Sequence, residues 1–137
     1  MPLLEVNLIG LKMLHIKTYL AKSTIHGIGL FTDENVKEGQ LIWKFTLGVD
    51  QIFYKSLLED TLYNKIKDYC YVDGSFVILC ADNARFMNHF INPNTNEKDD
   101  GSTYANKDID RDIELTCDYY SFDLDAERKL TPSKIQP

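Results

Sequence analysis

Turn-forming residues cut this chain so often that a long regular element has almost nowhere to fit. Gly27-Ile28-Gly29, Lys37-Glu38-Gly39, Asp73-Gly74, Asn92-Pro93-Asn94 and Asp108-Ile109-Asp110 break the apolar runs into pieces of a few residues. Turns at intervals of about eight to twelve residues are the mark of short strands joined tightly. His15 to Ala21 alternates Ile16, Thr18 and Leu20 with polar or aromatic neighbours, the period of a strand. Leu41 to Phe45 reads as another strand after the turn at 36–40, and Tyr69 to Cys80 as a hairpin whose two-residue turn is Asp73-Gly74. Only residues 51–67 suit a helix: Phe53/Leu57 and Leu58/Leu62/Ile66 recur every fourth position behind Asp50, a candidate N-cap, with a break near Asp60. Thr95 to Gly101 reads as a polar loop, Ser102 to Lys107 as a short strand and Asp108 to Asp112 as a charged turn. The chain predicts a mostly β domain of α+β class with one helical insert.

At 137 residues the chain is one domain with enough length for a core. A net charge of -6 argues against direct nucleic-acid binding, which calls for a basic patch, and suits a basic partner segment. Cys70, Cys80 and Cys117 are odd in number and widely spaced, so they read as buried thiols in a reducing compartment, cytoplasmic or nuclear. No metal site is expected from them. No apolar run approaches a membrane span. Residues 1–12 are apolar but lack a basic leader and a small-residue cleavage site; Met13 is an alternative start, with 1–12 an N-terminal extension.

One stretch carries more polar chemistry than a structural turn requires. Arg85-Phe86-Met87-Asn88-His89-Phe90-Ile91-Asn92-Pro93-Asn94 packs three amides, a histidine and a proline behind the apolar run Phe76 to Leu79. Asn92 before Pro93 is biased away from helix, and amide side chains favour turns. Loops held by a rigid scaffold are a usual place for binding residues, though a capped turn with a satisfied histidine is the simpler reading of these ten residues alone. The Gly-x-Gly at 27–29 is equally ambiguous: a bend, or a place where a ligand meets bare backbone. It is not a dinucleotide fingerprint, because no third glycine follows.

Taken in order, His26-Gly27-Ile28-Gly29-Leu30-Phe31, Arg85-Phe86-x-Asn88-His89-x-x-x-Pro93-Asn94 and Glu114-Leu115-Thr116-x-Asp118-Tyr119 resemble the three motifs of the SET domain, the fold of most protein lysine methyltransferases. The resemblance spans about Met13 to Tyr120. It implies a β-clip fold of several short sheets, in which the last two motifs pass through one another as a pseudoknot. It implies a SET domain over 13–122 with 51–67 as its insert, and a C-terminal tail over 123–137. S-adenosylmethionine is the implied cofactor, leaving as S-adenosylhomocysteine. By resemblance the backbone at His26, Ile28 and Gly29 borders it, Arg85 and Phe86 line its cleft, and Asn88 and His89 hold it. Tyr119 sits where donor and lysine meet and is the implied catalytic residue. Phe86, Pro93, Leu115 and Thr116 also suit plain core or turn roles. The implied partner is a protein substrate presenting a lysine in a basic segment; a homodimer is compatible with the resemblance, while nucleic acid and membrane are not expected.

The chemistry suits these residue types. Deprotonating a free lysine, with a pKa near 10.4, costs about 4 to 5 kcal/mol at pH 7. A neighbouring sulfonium and partial burial lower that cost, so the site must supply alignment rather than a dedicated base. Tyr119 is the expected aligning hydroxyl, with Tyr120 packed beside it. Several departures from the family pattern bear on this. Thr46 stands where a second active-site tyrosine is usual, leaving Tyr54, Tyr69 or Tyr71 to fill its place. Cys117 is small where an aromatic ring often restricts the lysine channel, which predicts room for di- or trimethylation. Phe90 and Ile91 replace small residues, and Asp112 and Ile113 stand where glycine and glutamate are usual. A zinc-binding cysteine cluster after the domain is absent, so the segment 121–130, with Phe122 as an aromatic lid, is expected to close the channel. The alternative is a SET-fold binding or regulatory module with weak or no turnover.

Overall fold

The computed structural model describes residues 14–45 and 50–130. Ten short strands make four small sheets, as the punctuation of the sequence requires. β1 (Thr18–Lys22) and β2 (Ile28–Thr32) form an antiparallel hairpin from Thr18↔Thr32 to Lys22↔Ile28. β3 (Leu41–Lys44) joins two later strands, β8 (Thr95–Glu97) and β9 (Ser102–Ala105), in the order β3-β9-β8. β4 (Gln51–Tyr54), β5 (Cys70–Asp73) and β6 (Phe76–Leu79) form the third sheet, with β6 central. β7 (Asn88–His89) and β10 (Thr116–Cys117) form a parallel pair. The helices are short: α1 (Asp60–Ile66) in the insert and α2 (Ala126–Leu130) near the C-terminus. The chain is mostly β with a short helical element, and none of the described helices is long and apolar enough to cross a membrane.

Two apolar clusters hold these sheets. The larger gathers Leu30, Val36, Ile42 and Leu115, which have lost essentially all contact with solvent, with Ile16, Trp43, Met87 and Cys117. The smaller, under the β4-β6-β5 sheet, is Tyr63, Cys70, Val72 and Val77. All three cysteines are buried and free, and burial pushes the Cys70 thiol up to about 11, so they act as small apolar side chains.

The structure corrects the expected helix over 51–67. Gln51–Tyr54 is a strand, paired with β6 from Gln51↔Leu79 to Tyr54↔Phe76. Asp50 caps no helix; its buried carboxylate accepts from the Ala81 N–H at 2.8 Å and ties the start of β4 to the end of β6. Ile52, Phe53 and Tyr54 are β-favouring residues, and the available sheet edge outweighs their fourfold spacing with later leucines. Leu58 and Ile66 of the expected face do pack on the smaller cluster, but within α1 the buried residue is Tyr63, while Leu62 is exposed.

Two further corrections are local. Asp73 pairs with Phe76, so the hairpin loop is Gly74-Ser75 rather than Asp73-Gly74. Gly74 has φ 59° while Ser75 keeps negative φ, the arrangement of a II′ turn. Thr95–Glu97, expected as loop, is a strand anchored laterally at its start, where Thr95 Oγ1 donates to the Thr116 carbonyl at 2.7 Å. Beyond Ser121 the polar composition hides a packed segment. Asp123 accepts from the Val72 N–H at 2.9 Å, and Lys129 Nζ lies 2.6 Å from both Asp123 Oδ2 and the Cys70 carbonyl. This buried ion pair fixes α2 against β5.

Candidate functional site

The site begins with the parallel pair. Thr116↔Asn88 and Cys117↔His89 lie side by side, and Phe90 N–H donates to the Cys117 carbonyl at 3.0 Å. Asn94 locks the crossing: its Nδ2 donates to the Glu114 carbonyl at 2.8 Å, and its Oδ1 accepts from Thr116 N–H at 2.9 Å. The amide-rich stretch therefore serves two purposes. Asn94 builds the crossing, and Asn88 and His89 are delivered by it.

Asn88 is buried, with Nδ2 donating to the His26 carbonyl at 2.9 Å and to Glu114 Oε2 at 3.0 Å. Ser23 Oγ donates to the same carboxylate at 2.8 Å and accepts from Ile25 N–H at 2.9 Å. Glu114 thus clamps the loop at 23–28 and the Asn88 amide together. Ser23 and Glu114 were missed as positioning residues; Glu114 sits in the third motif, but only the fold reveals what its side chain reaches. Gly29 takes its meaning from the same carboxylate. A Cβ on it would lie 2.3 Å from Glu114 Oε2, and Gly29 is not among the residues lining the cavity around Asn88. Gly27, with φ 47°, is the glycine that does.

His26, Ile28, Arg85, Phe86, Asn88, His89 and Tyr119 come together around a cavity of about 750 Å³. That volume lies within the usual range of small-molecule sites. His89 Nδ1 accepts from Tyr119 N–H at 3.1 Å, which puts the ring proton of the neutral imidazole on Nε2. Asp118 Oδ1, 3.7 Å from the same nitrogen, lies beyond hydrogen-bond reach. The Arg85 guanidinium sits 5.4 Å from the Phe86 ring centre, and Phe86 meets Tyr69 edge-on at 5.6 Å.

A second cavity, of about 420 Å³, contains Cys117 and Phe122 together with Trp43, Tyr71 and Glu97. Tyr119, Tyr69, Arg85 and Asp68 line both cavities. Phe122 meets Tyr71 at 5.5 Å and Tyr119 at 6.0 Å, both edge-on, so these three rings form one aromatic wall. The Tyr119 hydroxyl donates to the Met87 carbonyl at 2.9 Å, and burial pushes its pKa far above the usual tyrosine value. It is a neutral, oriented hydroxyl and not a phenolate base. Thr46 lies outside the described residues. Of the three tyrosines that could stand in for it, Tyr69 and Tyr71 line the second cavity, while Tyr54 is exposed and packs on Phe76. Tyr120 is exposed and stacks edge-on against His89.

Comparison with known proteins agrees with this architecture. The chain is 30% identical over 132 residues to a Plasmodium falciparum protein provisionally named histone-lysine N-methyltransferase 1, covering 84% of this chain and 2% of that protein. It is 30% identical over 115 residues to an H3 lysine-4 specific histone-lysine N-methyltransferase of Aspergillus oryzae, covering 72% of this chain and 9% of that one. The chain therefore spans less than a tenth of either relative's length. Among solved structures, Chaetomium thermophilum Polycomb Repressive Complex 2, in an autoinhibited conformation bound to S-adenosylmethionine, superposes with a TM-score of 0.62 at 20% identity; the match covers 88% of this chain and 17% of that one. The SET domain profile matches residues 27–120. A Gly-x-Gly hairpin and an Asn88-His89 strand paired in parallel with Thr116-Cys117, together with that match, place this chain in the SET domain family.

Proposed function

We propose that this protein is an S-adenosylmethionine-dependent lysine methyltransferase acting on a protein substrate. The observation that carries the reading is the pair of cavities sharing Tyr119, one walled by Asn88 and His89 and the other by Cys117 and an aromatic wall. The first cavity fits the cofactor's chemistry. Bare backbone at Gly27, a buried amide at Asn88, a donor at His89 Nε2 and the Arg85–Phe86 pair offer partners for an amino acid and a flat base. When bound there, S-adenosylmethionine supplies an electrophilic methyl on a sulfonium. The chain's own work is positional. Asn88 and His89 hold the donor side, Tyr119 orients at the junction, and Tyr71, Phe122 and Cys117 line the lysine side and exclude water.

The named substrates of the relatives, and an acidic chain with Asp68, Asp73 and Asp99 around the second cavity, favour a lysine in a basic segment such as a histone tail. Cys117 in place of a ring leaves room for more than one methyl. The test is calorimetric titration with S-adenosylmethionine and S-adenosylhomocysteine, repeated on Asn88→Ala, followed by transfer of labelled methyl to histone-tail peptides. Binding abolished by Asn88→Ala, together with labelled lysine, supports the reading. A folded protein that binds neither compound refutes it and leaves a SET-fold binding module.

A further inference from the structure

Glu97 is a carboxylate with too few partners for its surroundings. It lies on β8 and lines the second cavity with Trp43, Tyr71 and Cys117. Its Oε2 is buried with no hydrogen-bond partner, and its Oε1 has only a long contact, 3.5 Å, from Thr103 Oγ1. A buried carboxylate oxygen without a donor is costly, and such groups persist where a ligand completes them. The neighbouring Lys98 does not complete it, because its Nζ stands 4.0 Å over the Tyr104 ring.

We propose that Glu97 receives the ammonium of the substrate lysine in this cavity and accepts its proton before methyl transfer. The inference rests on the methyltransferase reading above and assigns that site a base where the motifs alone called only for alignment. The proton step balances within the pair: an N–H bond of the ammonium breaks as an O–H bond forms on Glu97. The freed amine lone pair is then available to form the N–CH3 bond as the donor's S–CH3 bond breaks onto sulfur. The product leaves as a methylammonium, and Glu97 returns its proton to water.

The surroundings suit that duty. Burial pushes the Glu97 carboxyl up to about 7, opposed by the Thr103 hydroxyl and reinforced by the Asp118 charge. An acceptor near neutrality is better matched to proton transfer than an ordinary glutamate. The titratable groups acting on it are Asp118 and Cys117 from the β10 segment and Tyr71 from β5; Arg85 also lines the cavity, but its guanidinium lies 5.4 Å from the Phe86 ring centre and makes no ion pair with Glu97. A cation entering the cavity is therefore the missing partner.

Trp43, the single tryptophan of the chain, lines the same cavity and reports its occupancy by fluorescence. The probe is n-butylammonium, a lysine side-chain mimic, with neutral n-butanol as its isostere. We expect the carbon-13 signal of the Glu97 carboxyl to titrate well above an ordinary glutamate and to fall by at least one pH unit on saturation with n-butylammonium. We expect Glu97→Gln to bind n-butylammonium at least tenfold more weakly and n-butanol unchanged. A carboxyl that titrates normally, or equal n-butylammonium binding by both proteins, overturns the proposal. Parallel titration with S-adenosylmethionine separates the two claims. Cofactor binding without any Glu97 dependence leaves the methyltransferase reading intact and sinks Glu97. Glu97-dependent amine binding without cofactor binding overturns its role as a base and the methyltransferase reading together.

Discussion

Replacing Gly29 by alanine is a one-methyl test of how the site is braced. The added Cβ would stand 2.3 Å from Glu114 Oε2 and 2.8 Å from its Cδ, so the carboxylate must move. Moving it releases Ser23 Oγ at 2.8 Å and Asn88 Nδ2 at 3.0 Å. Hydrogen bonds to a charged acceptor contribute about 1.5–3 kcal/mol each. Gly29 lies outside the left-handed region, so alanine regains about 0.5–1 kcal/mol of strand propensity. The expected net loss is about 2 to 5 kcal/mol, read from urea unfolding. Glu114→Ala is also destabilising, but it clears the space, so Gly29→Ala added to it costs little more. The double-mutant cycle therefore shows a coupling of about 2 kcal/mol or more. Additivity within about 0.5 kcal/mol refutes the clash and returns Gly29 to a ligand-facing role.

Other expectations follow from the same structure. Lys129→Met strands the buried Asp123 carboxylate, and because Val72 and Asp125 N–H groups still donate to it, the loss of stability is at the lower end for a broken buried pair, about 3 kcal/mol by urea unfolding. Tyr119→Phe loses the hydroxyl's bond to the Met87 carbonyl, about 1 kcal/mol of stability, while methyl transfer to a histone-tail peptide falls by about two orders of magnitude at unchanged cofactor affinity. The Glu97 carboxyl is raised from 4.5 to about 7, so the folded state holds a proton that the unfolded chain releases between those values. Stability should therefore fall by about 3 kcal/mol as pH rises from about 4.5 to 7, and Glu97→Gln should flatten that part of the profile in thermal melts across pH.

The sequence was legible where chemistry and turns are local. The Asp73-Gly74 signal placed the hairpin and missed only which residue of the pair begins the loop. The motifs at 85–94 and 114–119 named Arg85, Phe86, Asn88, His89 and Tyr119 of the residues that line the first cavity, and the one at 26–31 added His26 and Ile28. What stayed hidden depends on partners distant in the chain. Asp50 and Gln51–Tyr54 look helical until β6 offers an edge, and Thr95–Glu97 looks like loop until Thr116 and β9 take up its polar groups. Gly29 reads as a ligand contact because the Glu114 side chain that occupies its space lies 85 positions away in the sequence. The polar composition beyond Ser121 does not reveal the buried Lys129–Asp123 pair for the same reason: its burial is created by β5.

The parallel pairing of Asn88-His89 with Thr116-Cys117 also sets a timetable for the growing chain. Every other sheet except the one holding β8 and β9 is complete once residue 79 has emerged, and that sheet is complete at residue 105. The first cavity lacks its Tyr119, Lys129 and Leu130 lining until the C-terminal segment is available, and the brace of α2 on β5 also waits for Lys129. On the ribosome, then, most of this fold can form before that cavity is complete. Closing a loop of nearly thirty residues for a ladder only two residues long yields few bonds for its entropy. A bound cofactor would therefore act on the chain as a late clasp, raising the barrier to opening more than it speeds folding.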